Sequence, residues 1–143
     1  MTKTGKVDDM NEATPSTILV IEDSPTQALH VQNLLEREGV NVALATDGTQ
    51  GIALARELHP DLILLDMQLP GMNGLQVCEE LKKGQATRRI PVIILTRHDD
   101  PQMITMGLQS GVVDYIPKDA FADAVLLETL RQMGLIAVSR PAL

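Results

Sequence analysis

Tryptophan is absent from the 143 residues, and tyrosine and phenylalanine occur once each. So thin an aromatic supply disfavours a flavin sandwich. The single cysteine, Cys78, excludes an internal disulfide and a cysteine-based zinc site. Three scattered histidines form no ligand cluster. No apolar run approaches the roughly 18–20 residues of a membrane span, so no membrane insertion is expected. The N-terminus carries Lys3 and Lys6 but lacks the apolar stretch of a secretory signal. Positive charge is in deficit, with 12 Lys and Arg against 19 Asp and Glu and a net charge of -7. That balance argues against direct nucleic-acid binding, which needs basic side chains to displace counterions from phosphates. What is present is a globular mix, 44% hydrophobic and 22% charged, at a length suited to one domain. The expectation is a reduced, soluble, cytoplasmic domain.

Residues 1–16 are polar and aperiodic and read as a flexible leader. From Thr17 short apolar runs alternate with stretches of helical period. The runs are Ile18 to Ile21, Val40 to Ala45, Leu62 to Leu65, Val92 to Leu95 and Val112 to Ile116. Apolar runs without alternation suit strands buried on both faces of a parallel sheet. The first helical segment opens at Ser24-Pro25, turns Ala28, Val31, Leu34 and Leu35 inward, and stops at Gly39. The second, Thr49 to Leu58, turns Ile52, Ala53 and Ala55 inward and ends at His59-Pro60. The third, Gly74 to Lys83, carries Leu75, Cys78 and Leu81. The fourth runs from near Asp99 through Met103, Met106 and Leu108 to Gly111. The fifth, Ala120 to Met133, follows Pro117-Lys118-Asp119, with Phe121, Val125, Leu126 and Leu130 on one side. The pattern predicts an α/β, flavodoxin-like (βα)5 doubly wound sheet, with five parallel strands in order 2-1-3-4-5 and helices on both faces. The folded unit spans 17–134, and 135–143 form a short tail whose apolar Gly134 to Val138 suits docking on the domain or on a partner.

In this topology ligands bind beyond the carboxyl ends of the strands, where the strand order reverses. Glu22 and Asp23 follow the first strand, and Asp66 follows the third. One acid there commonly caps the next loop. Three converging acids raise one another's pKa unless a cation neutralises them, and Mg²⁺, with its preference for oxygen ligands, resolves the conflict. Thr96 closes the fourth strand with a hydroxyl, and Lys118 follows the fifth with an ammonium. Acids, hydroxyl and ammonium around one point form the inventory for phosphoryl transfer to a carboxylate.

The sequence resembles a response-regulator receiver domain of two-component signalling over about Thr17 to Met133. The resemblance is carried by Ile18 to Ser24 (ILVIEDS), Asp61 to Gly74 (DLILLDMQLPGMNG), Ile90 to Thr96 (IPVIILT) and Asp114 to Lys118 (DYIPK). It implies that Asp66 is the phospho-acceptor, with Lys118 and Thr96 contacting the phosphoryl group. It implies that Glu22, Asp23, Asp66 and the backbone carbonyl of Gln68 hold Mg²⁺, Asp23 lying deepest. Thr96 and Tyr115 become the switch residues, and the face of the fourth helix, fifth strand and fifth helix becomes the surface that changes, and a place for a homodimer to form. Gln68 and His98 each lie two residues past a site residue and border the route of an attacking water, where they tune hydrolysis. The implied partners are a sensor histidine kinase or histidine phosphotransfer protein and an output protein, or an output domain beyond this sequence. Such a protein is a signalling switch, not an enzyme in the usual sense, although it assists its own phosphorylation and dephosphorylation.

Three residues depart from the family pattern. Asp119 stands where proline and a cis peptide are usual, and a cis bond before a non-proline residue costs about 3–4 kcal/mol. Arg97 replaces a small residue beside Thr96 and can overhang the site, and Val112 replaces a common alanine. A dehalogenase-type phosphatase would need an acid where Gln68 stands. A flavodoxin would need a phosphate cradle where Glu22-Asp23 repel one. The remaining alternative is a pseudo-receiver, an interaction module not regulated by phosphorylation.

Overall fold

The computed structural model describes residues 14–97, 105 and 111–137. Five parallel strands form one sheet in the order β2-β1-β3-β4-β5. They are β1 (Thr17–Ile21), β2 (Asn41–Ala45), β3 (Leu62–Leu65), β4 (Val92–Thr96) and β5 (Asp114–Pro117). Among the described residues the helices are α1 (Pro25–Glu36), α2 (Gly48–Leu58), α3 (Gly74–Lys83) and α4 (Ala122–Gln132). The expected architecture and strand order are those observed. Apart from Thr105, the fourth helical segment of the sequence, with Met103, Met106 and Leu108, lies outside the described residues, as does His98. Among the described residues no helix is long and apolar enough to cross a membrane.

Alternation of side chains along each strand divides the core into two layers. Leu19, Ile21, Ile63, Leu65 and Ile94 point to one face, where Ile52 and Ala55 of α2 and Val77, Cys78 and Leu81 of α3 cover them. Ile18, Val20, Leu62, Leu64 and Ile93 point to the other, under Val31 and Leu35 of α1 and Leu126 and Leu130 of α4. Neither face of β3 meets water, which is why its sequence is continuously apolar. Burial pushes the Cys78 thiol up to about 11, so it packs as an inert apolar group. Ile136 is buried in the second layer and Leu135 packs beside it, so the start of the apolar tail docks on the domain itself.

Local chemistry sets the helix starts. Ser24, Asp47 and Asn73 each accept a backbone N–H three residues on, and Asn73 with Gln76 completes a capping box. Three inward assignments fail. Ala53 is exposed on α2, because the buried stripe runs through Gly51, Ile52 and Ala55. Phe121 and Val125 are 72% and 45% exposed: α4 turns Leu126 and Leu130 to the sheet, and Phe121 precedes the helix at its N-cap.

Candidate functional site

The carboxyl ends of β1, β3, β4 and β5 border a cleft of about 390 Å³, lined by Glu22, Asp23, Gln27, Asp66, Gln68, Thr96, Arg97 and Lys118 among others. Backbone bonds fix these ends against one another. Glu22 N–H donates to Ala45 O at 2.9 Å, Asp66 N–H to Ile21 O at 3.1 Å, and Lys118 N–H to Thr96 O at 2.8 Å. The acids and the ammonium are thus carried by adjoining strand ends, not by free loops.

Glu22, Asp23 and Asp66 each present a carboxylate oxygen, all within 4.8 Å of one another. Lys118 reaches into this cluster. Its Nζ donates to Glu22 Oε1 at 2.6 Å, to Gln27 Oε1, and to Asp66 Oδ2 at the longer distance of 3.4 Å. The Lys118, Glu22 and Asp66 side chains are 14%, 6% and 12% exposed, so water screens them little. Ser24 N–H donates to Glu22 Oε2 at 3.2 Å, and Gln68 N–H donates to Asp66 Oδ1 at 3.1 Å.

Burial raises the Glu22 pKa above the ordinary carboxylate value, against the lowering effect of bonds from Lys118 and Ser24. The charge of Asp66 adds to the rise. Three hard oxygen donors facing one ammonium leave an excess of negative charge, and this donor set fits a divalent cation such as Mg²⁺.

The structure brings Glu22, Asp23, Asp66, Gln68, Thr96 and Lys118 to one cleft. It corrects their depths: Glu22 is the buried acid and Asp23 the exposed one, since Asp23 lies one residue further beyond the strand end. Thr96 is 1% exposed at the end of β4. Tyr115 lies half-buried on β5 opposite Ile94, packed against the first core layer. Arg97 is exposed at the rim. Every peptide bond among the described residues is trans, Lys118–Asp119 included, and Lys118 still aims at the acids. Asp119 instead accepts from Phe121 N–H at 2.8 Å and shapes the turn into α4.

Sequence reasoning missed Gln27 and the Ser24 amide. The signal available for Gln27 was its place in the first turn of a helix whose N-cap adjoins the acid pair. A larger open groove of about 710 Å³ includes Asp47, Glu79 and Glu80 in its lining but no basic side chain.

Comparison with known proteins matches the response regulator receiver domain to residues 18–131. Protein PilH of Pseudomonas aeruginosa is 38% identical over 109 residues, which cover 76% of this chain and 90% of PilH. The DNA-binding response regulator MtrA of Mycolicibacterium smegmatis is 43% identical over 101 residues, 71% of this chain but only 43% of MtrA. The chain thus spans less than half the length of the MtrA relatives it matches. Among solved structures, the receiver domain of a Pseudomonas aeruginosa sensor histidine kinase aligns with a TM-score of 0.75 and 31% identity. That alignment covers 83% of this chain and 97% of the other, whose structure has a magnesium ion coordinated in its active-site cleft.

Proposed function

The chain belongs to the response regulator receiver family of two-component signalling, and on that premise we propose that Asp66 accepts a phosphoryl group from the phosphohistidine of a histidine kinase or phosphotransfer protein. One observation carries the reading: a largely buried Asp66 shares one cleft with two further acids and the Lys118 ammonium, each from a strand end or its neighbour. An Asp66 oxygen forms the bond to phosphorus while the donor's P–N bond breaks, and the electron pair leaves with the imidazole nitrogen. Lys118 offsets charge on the phosphoryl oxygens, and the Thr96 hydroxyl adds a donor. Glu22, Asp23, Asp66 and the Gln68 carbonyl would hold Mg²⁺, which supplies charge neutralisation when bound. Movement of Thr96 toward the phosphoryl group then frees space for Tyr115 and alters the face built by the β4–β5 connection, β5 and α4. Gln68 at the mouth of the cleft tunes hydrolysis. Receivers act through the proteins they contact, and the output here is a partner or a further domain.

The test is labelling by acetyl phosphate with Mg²⁺. Wild type should gain one acid-stable, base-labile phosphate, absent in Asp66→Asn. Failure of a folded, Mg²⁺-supplied wild type to label would favour an interaction module not regulated by phosphorylation.

A further inference from the structure

We propose that Gln27 is a positioning residue for Lys118, its amide oxygen holding the ammonium between Glu22 and Asp66 and keeping it from closing on Asp66. The inference rests on the reading of the acidic cluster as a cation site and of Asp66 as the phosphoryl acceptor.

An ammonium has three N–H donors. Lys118 commits one to Glu22 Oε1 at 2.6 Å and one to Gln27 Oε1, while the third reaches Asp66 Oδ2 only at 3.4 Å, beyond the usual range of such bonds. Two carboxylates compete for one cation, and a neutral amide decides how far it moves toward either. The place of Gln27 follows from its own helix. Ser24 caps α1, its Oγ accepting from Gln27 N–H at 3.3 Å, and Pro25 sets the first turn. The third residue of α1 thereby meets a lysine 91 positions away.

Leucine at this position keeps a similar volume and accepts no hydrogen bond. The released donor is poorly hydrated, the Lys118 side chain being 14% exposed, and Asp66 is the acceptor already in line. A tighter Lys118–Asp66 pair brings a positive charge closer to the carboxylate and weakens the potential that attracts a divalent cation. Metal binding therefore weakens, and phosphorylation slows most where metal is scarce. If Gln27 merely satisfied a buried lysine, its loss would lower stability and leave metal affinity alone.

The experiment titrates Mg²⁺ into the ¹⁵N-labelled full chain and follows the backbone amides of the cleft. Gln27→Leu should raise the Mg²⁺ Kd roughly fivefold. In a Lys118→Met background the same substitution should leave the Kd unchanged, since no ammonium remains to be held. Initial phosphorylation rates with phosphoramidate should show Gln27→Leu needing more Mg²⁺ for half-maximal rate, the deficit shrinking as Mg²⁺ rises. Should Gln27→Leu fail to fold, Gln27→Met carries the same comparison. Equal Kd values in wild type and Gln27→Leu, or an equal loss in both Lys118 backgrounds, overturn the inference. A wild type that binds Mg²⁺ but takes no phosphoryl group overturns the acceptor reading, while the Kd comparison still decides the role of Gln27. A wild type that binds no Mg²⁺ overturns both.

Discussion

Glu22 is 5% exposed, and burial holds its carboxyl above the ordinary range although Lys118 and Ser24 both donate to it. A carboxyl whose pKa is raised on folding binds its proton more readily in the native chain than in the unfolded one. Its stabilising contribution is present below the unfolded pKa and is lost as the pH rises through the raised native value. Ionised Glu22 is thus a cost at neutral pH in the absence of a cation. In metal-free buffer Glu22→Gln should melt above wild type, with the gap widening as the pH climbs out of the acidic range. A gap that narrows over that range contradicts the argument. Asp66→Asn is nearly isosteric and removes a charge that also pushes Glu22 up, so without metal it should melt no lower than wild type. A clearly lower melting temperature would mean that the Lys118–Asp66 attraction outweighs the crowding of the acids.

At the scale of the element, α3 begins hard against the strand end that bears Asp66. Gly74 N–H donates to Met67 O at 2.9 Å, and a Cβ on Gly74 would lie 2.8 Å from Met67 Cα and 3.2 Å from Asp66 O. These are backbone atoms that cannot rotate aside. Gly74→Ala should therefore cost about 1–3 kcal/mol in denaturant unfolding and weaken Mg²⁺ binding, whereas wild-type stability would show that the loop yields freely. The same helix was legible in the sequence to the residue, because its capping box is local chemistry. β3 was legible as well, since a strand buried on both faces has no alternation to blur its ends. β5 was read as Val112 to Ile116 but spans Asp114–Pro117, because pairing with β4, not apolar content, sets the limits of an edge strand. The inner face of α4 was read too broadly, since Phe121 and Val125 repeat at the same spacing as Leu126 and Leu130 on a neighbouring stripe. In the cleft the charged groups were readable from strand ends, but the relative depth of Glu22 and Asp23 was not. Gln27 belongs to no motif, and only its place in the first turn of a helix capped beside the acid pair pointed to it.

At the scale of the whole molecule, a ligand bound only by the native state raises its stability by mass action, and Mg²⁺ should raise the melting temperature in this way. Asp23 is the exposed acid of the three and makes no side-chain bond to Lys118, so it is the carboxylate most available to a metal. Asp23→Ala should lose most of the Mg²⁺-dependent rise, and a rise equal to that of wild type would refute its role as a ligand. The bond from Lys118 to Glu22 joins residues 96 positions apart and so ties the end of β1 to the edge strand β5. During synthesis the acids leave the ribosome first, and Asp66 precedes Lys118 by 52 residues. A nascent chain that has not yet added β5 carries Asp66 and its neighbouring acids without the ammonium that faces them. The edge strand therefore closes the charge account of the cleft: a chain broken off before it holds three acids with no Lys118 ammonium to offset them.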